Sequence, residues 1–189
     1  MRVALRLIHF ILAAWLPACA AQAPPQLLVD ASVDRDFSEL AQTTWHQFLQ
    51  AFPAQTNCFG DVRLRAAYEL DSRAAYDPPT ATVTVHVPGS AAMLSSALIH
   101  EWAHHVEFQC PAHKGLRAAF LAAQGSRPET QWRPDDLPAN TPESVWAEIP
   151  SEQYAEAAIE LVLGRRSIPT TVRVTPEAVR VLARWAAGE

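Results

Sequence analysis

Over residues 36–52, hydrophobic side chains recur every three or four positions, a pattern typical of the buried face of an amphipathic helix. The members of this face are Phe37, Leu40, Ala41, Trp45, Phe48, Leu49 and Phe52. Because proline cannot continue the hydrogen-bond pattern of a helix, the helix should end at Pro53. We expect this helix to belong to the scaffold, with its apolar face on the core.

The hydrophobic pattern then changes to alternation, which predicts strands with one buried face. Residues 62–66 alternate, and residues 82–87 do so more clearly and are rich in β-branched side chains. Pro78 and Pro79 lie in the connection between the two segments. A long helical segment follows the second strand at once, from about Ser90 to Phe108.

The last part of the chain predicts a loop followed by two helices. Residues 125–150 contain five prolines among polar residues, which indicates an irregular surface loop with a capped helical turn near Pro142. One helix is predicted from Ser151 to Leu163, where Gly164 follows it. Another should begin at a Thr-Pro-Glu sequence at Thr175 and end near the C-terminus.

Length and composition indicate one globular domain. The chain has 189 residues, of which 49% are hydrophobic, and this suffices for a single core. We therefore predict one α+β domain over residues 35–189, and we expect a monomer. The formal net charge is -5 and the basic residues form no stripe, so nucleic acid is not an expected partner.

The first twenty residues have the composition of an export signal. Arg2 and Arg6 supply positive charge, and the apolar stretch from Leu7 to Leu16 is too short to span a bilayer. We predict a signal peptide over residues 1–20 and a tether with a lead-in segment over residues 21–34. The protein is then exported, either secreted or kept in the cell envelope.

The three cysteines bear on processing and on stability. The segment from Leu16 to Cys19 approximates a lipobox, whereas the small residues around Cys19 fit ordinary signal peptidase, so both routes are open. Membrane association is expected only if Cys19 is lipidated. On either route Cys58 and Cys110 remain as an even pair in an oxidising compartment, where a disulfide is the default expectation.

The segment His100-Glu101-Trp102-Ala103-His104 lies within the long predicted helix. Two histidines four residues apart project from one helical face, so both imidazoles are able to bind a single zinc ion. Glu101 is offset by about 100° around the helix, which places its carboxylate beside the ion, where a general base is needed. Because so short a motif also occurs by chance, a third ligand has to support it.

A later helix supplies candidates for that ligand, since Glu152 and Glu156 share one face of the predicted helix. Together with the two histidines, these residues resemble the gluzincin clan of zinc metallopeptidases. In that clan the HExxH motif is followed on a later helix by a glutamate ligand, commonly as Glu-x-x-Ala-Glu. The resemblance implies that Glu152 is the third ligand and that Glu156 orients one of the histidines.

The resemblance also implies a fold and a reaction. It implies a zincin-like domain with a small mixed sheet, an edge strand before the active-site helix and a helical C-terminal part. Residues 82–87 would be that edge strand, and extended substrate would add to it by β-augmentation. The implied activity is that of a zinc-dependent endopeptidase on peptide or protein substrates, with Zn2+ as the cofactor and Glu101 assisting the attack of zinc-bound water.

Two other functions remain open. A non-catalytic, zinc-stabilised cell-envelope binding module would have a closed fourth coordination position, whereas an enzyme needs that position open to water. A zinc amidase acting on cell-wall peptide would share the chemistry and differ in the substrate. The group that stabilises the oxyanion is also open, with Tyr154, His113 and Tyr76 as candidates. His105 points away from the ligand face and is expected to be structural.

Overall fold

A computed structural model describes residues 23–134 and 141–189 and shows the predicted α+β fold. The predicted signal peptide, including Cys19, lies outside the described residues. The strands are β1 (Leu27–Val29), β2 (Val62–Ala67), β3 (Ala74–Asp77) and β4 (Thr82–His86). The helices are α1 (Arg35–Ala51), α2 (Ala91–Gln109), α3 (His113–Gln124), α4 (Glu143–Trp146), α5 (Pro150–Leu163) and α6 (Pro176–Ala187). None of the helices in the described ranges combines the length and apolarity needed to cross a membrane.

The sheet has four strands in the order β1-β2-β4-β3. Strands β1, β2 and β4 are parallel to one another, and β3 pairs with β4 in the antiparallel direction. A short 3-10 helix, Pro78–Thr80, connects β3 to β4. The sheet is therefore mixed, as the resemblance implies.

The position of the edge strand requires a correction. Residues 82–87 were expected at the edge, but β4 lies between β2 and β3, and the edge strand beside α2 is β3. Alternation predicts which face of a strand is buried, but it carries no information about the strand's neighbours within the sheet. β3 itself gives a weak signal, because its sequence is Ala-Ala-Tyr-Asp and its side chains are only partly buried or exposed.

Two other elements have no counterpart in the sequence analysis. β1, at Leu27–Val29, lies in the predicted lead-in segment and pairs with β2 over three residues, a length too short to show alternation. α3, at His113–Gln124, covers the segment after α2, and three of its buried residues, His113, Leu116 and Phe120, lie three or four positions apart. The other predicted helices agree with the structure to within a few residues.

α2 lies at the centre of the molecule, where it packs on β3, β4, α1 and α5. Its inner face is fully buried and consists of Leu98, Ile99, Trp102, Ala103 and Val106. Trp102 meets Trp45 of α1 edge-on at a centroid distance of 4.9 Å. A disulfide between Cys58 and Cys110 joins the loop after α1 to the C-terminal end of α2. The central helix is thus held on several sides.

Candidate metal centre

Helices α2 and α5 carry the predicted ligands on their facing sides. The side chain of Ser90 accepts a hydrogen bond from the backbone N–H of Met93 and so caps the start of α2. α5 begins at Pro150, which is favourable because the first residue of a helix needs no N–H donor. The two helices pack against each other, which brings His100 and His104 opposite Glu152.

Three atoms converge between the two helices. His100 Nε2 lies 3.1 Å from Glu152 Oε2 and 3.2 Å from His104 Nε2, and His104 Nε2 lies 3.5 Å from Glu152 Oε2. Glu152 is 1% exposed, so its carboxylate depends on these neighbours for compensation. The structure therefore brings together the three residues that the sequence nominates as metal ligands.

The spacing and chemistry of the three atoms fit zinc. For a tetrahedral ion with bonds of about 2.0–2.1 Å, the ligand atoms would lie about 3.3–3.4 Å apart, close to the three separations in the cluster. Two imidazole nitrogens and one carboxylate oxygen form a ligand set that catalytic zinc sites use. The residues present thus suit a zinc ion with one further position for water or substrate.

The cluster attracts positive charge. Burial raises the pKa of Glu152, but hydrogen bonds with His100 and His104 lower it by more. The pKa of this carboxyl group therefore lies well below its usual range. Burial lowers the pKa of His100, yet the hydrogen bond with Glu152 and the charge of Glu101 raise it more, and the pKa is raised on balance. A cation at the centre of the cluster would likewise compensate the negative charge of Glu152.

On the far side of His100, Nδ1 lies 3.2 Å from Oε1 of Glu156. Glu156 is 6% exposed and its other oxygen contacts the guanidinium of Arg166. A carboxylate at Nδ1 fixes the tautomer and the ring orientation of a histidine whose Nε2 faces a metal. Glu156 therefore occupies the position that the resemblance implies for it.

On the far side of His104, Nδ1 lies 3.0 Å from Oε2 of Glu107. The indole N–H of Trp132 donates to Glu107 Oε1 at 2.9 Å, and Arg133 Nη2 lies 3.2 Å from Oε2. Burial raises the pKa of Glu107, but His104 and Arg133 lower it more, to about 2. Glu107 is thus an ionised, buried carboxylate that orients His104.

Glu107 and Arg133 are residues of the centre that the sequence pattern did not nominate. A signal for Glu107 existed, because a residue three positions after His104 lies on the same side of the helix. Arg133 had no comparable signal, since it lies in the predicted loop and reaches the site only through tertiary packing.

Glu101 differs from the other carboxylates of the centre. Glu101 is 8% exposed, and its side chain borders cavities on both sides of the ligand cluster. Within residues 23–134 and 141–189, no hydrogen bond or ion pair engages its carboxylate. Glu101 is therefore free to accept a proton from a molecule in the cleft.

Two cavities flank the centre and share His100, Glu101 and Trp146 as lining residues. The first has a volume of about 260 Å³ and mainly apolar walls, formed by Ala74, Met93, Ala97, Ile159 and Ile168 besides Trp146. The second has a volume of about 280 Å³ and is bordered by Tyr76, Phe108 and Arg133. Trp146, which is 40% exposed, belongs to the lining of both.

The three oxyanion candidates occupy very different places. Tyr154 and His113 are fully buried, with ring centroids 4.6 Å apart, and neither lines the two cavities formed by the described residues. Tyr76 borders the second cavity, but its hydroxyl lies 2.9 Å from Nδ1 of His105. His105 in turn donates from Nε2 to the carbonyl of Gly60 at 3.2 Å, which is the structural role expected for it.

Comparisons with known proteins do not place the chain in a family. No family model matches it, and neither the curated proteins nor the solved structures give a match. The function must therefore be inferred from the residues and geometry of the site.

Proposed function

We propose that this protein is a zinc-dependent peptidase in which His100, His104 and Glu152 hold the ion. The observation that carries the proposal is the convergence of three ligand atoms at 3.1–3.5 Å beside the carboxylate of Glu101, which has no hydrogen-bond or ion-pair partner among the described residues. A binding module with a structural zinc would gain nothing from the uncompensated Glu101 in an open cleft. In an enzyme, the three ligands would hold the ion and Glu101 would transfer a proton.

Glu101 is the general base and acid of the proposed reaction. Zinc held by this ligand set supplies Lewis acidity, which lowers the pKa of a bound water and polarises a carbonyl. Glu101 would take the proton from the attacking water and pass it to the leaving amine. Because Glu101 borders both cavities, it has access to a peptide bond that spans them.

The edge strand β3 offers a place for the backbone of an extended substrate. The N–H of His86 donates to the carbonyl of Arg73, so by antiparallel alternation Ala75 and Asp77 pair with β4. The backbone groups of Ala74 and Tyr76 then face the free edge. The hydroxyl of Ser72 donates to the Ala74 carbonyl at 2.7 Å, which leaves the Ala74 N–H and both Tyr76 groups for a peptide.

The first cavity favours an apolar side chain of the substrate. Its walls are mainly apolar, and of the two arginines at its border, Arg73 and Arg166, the second is already paired with Glu156. A volume of about 260 Å³ is smaller than the roughly 300–1,000 Å³ of sites for drug-sized ligands, so it suits a single side chain. The proposed substrate is thus an extended peptide with a large apolar residue next to the cleaved bond.

Paired variants test the proposal. Glu101→Gln should keep about one zinc per chain and lose hydrolysis of a quenched fluorescent peptide, by roughly 10²–10⁴-fold in kcat, because only proton transfer is removed. Glu152→Ala should lose zinc affinity itself. Metal content by mass spectrometry and peptide turnover give the two readouts. If the purified protein binds no zinc, or if Glu101→Gln hydrolyses peptide like the wild type, the proposal is wrong.

We also propose that the protein is exported. A disulfide between Cys58 and Cys110 suits an oxidising compartment, in agreement with the signal peptide expected from the sequence. The compartment and the metal site together describe a peptidase that works outside the cytoplasm.

A further inference from the structure

We propose that Arg133 is a positioning residue that links the two metal-binding helices, by bridging Glu107 on α2 and Glu152 on α5. This inference rests on the proposed function, since it assigns Arg133 a role toward the zinc ligands. It concerns a residue outside the ligand set, in the loop before α4.

The first observation is that the guanidinium reaches both carboxylates. Nη2 lies 3.2 Å from Glu107 Oε2 and Nη1 lies 3.5 Å from Glu152 Oε1. Both carboxylates are buried, and each is next to an imidazole of the cluster. A planar guanidinium has several donors in a fixed fork, so one side chain is able to hold both groups at a set separation.

The second observation is that the bridge acts on Glu152 through the oxygen that faces away from the histidines. Oε2 is the atom in the ligand cluster, whereas Arg133 and the hydroxyl of Ser151 lie 3.5 Å from Oε1. With Oε1 held in this way, Glu152 presents one oxygen to the ion. The fourth coordination position is thereby kept for water or substrate.

The third observation concerns His104. Arg133 Nη2 lies 2.9 Å from His104 Nδ1, but both atoms are donors once Nε2 is the metal-facing atom. Their shared acceptor is Glu107 Oε2, which therefore holds the imidazole and the guanidinium together. Arg133 thus supports the orientation of His104 indirectly, through Glu107.

The residue before Arg133 strengthens the same link. The Trp132 indole N–H donates to Glu107, while the Trp132 carbonyl accepts from the backbone N–H of Ser151 at the start of α5. The Arg133 guanidinium also lies over the ring of Phe108 at 5.4 Å. This short segment therefore contacts both helices through backbone and side chains, and Arg133 supplies the part that reaches a zinc ligand.

Arg117 provides a matched control. Its Nη2 is 4.0 Å from Glu107 Oε1, and its guanidinium lies over Trp132 at 5.2 Å, so it carries the same charge beside the same carboxylate. No contact of Arg117 with Glu152 occurs within the described residues. Removing Arg117 therefore removes a nearby charge without removing the bridge.

The test compares Arg133→Met, Arg133→Lys and Arg117→Met by competitive zinc titration and by the visible spectrum of the Co2+-substituted protein. Arg133→Met should weaken zinc binding about 10–100-fold, the usual effect of losing an outer partner of a metal site. Its Co2+ bands should lose intensity, because a released Glu152 is able to bind through both oxygens and raise the coordination number. Arg117→Met should match the wild type in both measurements.

Arg133→Lys separates bridging from charge, because an ammonium group cannot span the two carboxylates. We expect it to resemble Arg133→Met, with circular dichroism like that of the wild type in all three variants. Wild-type affinity and spectrum in Arg133→Lys, or an equal loss in Arg117→Met, would overturn the bridging role while leaving the zinc site itself standing. A wild-type protein that binds no zinc would instead refute the proposed function.

Discussion

At the scale of residues, both histidines of the cluster have the same kind of support. Each Nδ1 meets a buried carboxylate, and each of those carboxylates meets an arginine. The two series are His100–Glu156–Arg166 and His104–Glu107–Arg133. Each arginine compensates a buried carboxylate that would otherwise be costly, so each carboxylate is held in place to accept the imidazole N–H.

His113 is a buried histidine with a different consequence. Burial lowers its pKa to about 3, although the charge of Glu107 opposes the shift. Above pH 6.5, His113 is neutral in both the folded and the unfolded chain. Below pH 6.5, His113 takes up a proton in the unfolded chain, whereas in the folded protein it does so only near pH 3. Stability is therefore lost across this interval as the pH falls.

We expect His113→Phe to reduce this acid sensitivity. Between its folded and unfolded pKa values, one such histidine changes the free energy of unfolding by about 1.4 kcal/mol per pH unit. Urea denaturation of the metal-free proteins between pH 7.5 and 4.5 measures the difference in slope between variant and wild type. Identical slopes would show that the pKa of His113 is not lowered in the folded protein. Comparison at pH 7.5, where the histidine is neutral in both states, gives the packing cost of the substitution separately.

At the scale of elements, the arrangement of α2, α5 and β3 defines the cleft. α2 carries two of the proposed ligands and the proposed base, α5 carries the third proposed ligand, and β3 forms the wall along which a peptide is proposed to lie. β3 is short and is the antiparallel strand at one edge of the sheet. Its outward backbone groups are therefore available, whereas those of β4 are used on both sides.

Ala74→Pro tests the proposed role of β3. Proline removes the outward N–H of residue 74 but leaves the bonds to β4 in place, which an edge strand tolerates. Loss of one backbone hydrogen bond to substrate is worth about 1 kcal/mol, so we expect KM for an extended peptide to rise about fivefold. Ala74→Ser, which keeps the N–H, is the control. Zinc content should stay the same in both variants, and an unchanged KM in Ala74→Pro would rule out backbone pairing at this position.

Periodicity in the sequence predicts the helices of the site and the residues on them. The four-residue spacings of His100/His104 and Glu152/Glu156 project each pair from one face, and that is a local property. The contributions of β3 and Arg133 are not local. Whether a strand lies at an edge depends on its neighbours, and Arg133 reaches Glu107 and Glu152 only when its loop crosses both helices. Such features follow from tertiary packing and leave no repeat in the sequence.

At the scale of the whole molecule, the disulfide is the covalent connection between distant parts of the chain. Cys58 and Cys110 are 52 residues apart in sequence. The bond joins the loop between α1 and β2 to the residue that follows α2. It thus restrains the central helix at the end opposite its Ser90 cap.

Replacing both cysteines by serine should lower the free energy of unfolding by about 4 kcal/mol, because a closed loop of this length restricts the unfolded chain. Urea denaturation of metal-free protein, with the wild type measured in the presence and absence of reductant, gives the comparison. The reduced wild type should behave like the double variant. If oxidised and reduced wild type unfold at the same urea concentration, the bond contributes nothing to stability.

The disulfide and the contact between helices α2 and α5 also bear on where the chain opens first. The disulfide closes residues 58–110 and the contact of His100 with Glu152 closes residues 100–152, so together they enclose about half of the 189 residues. α6 lies beyond both closures, and among the described residues it is attached by packing and hydrogen bonds, such as that from Ala54 N–H to the Ala186 carbonyl. Thermal fluctuations that detach the C-terminal helix are able to come and go while the ligands keep their places. We therefore expect the C-terminal helix to detach more readily than the centre of the molecule opens.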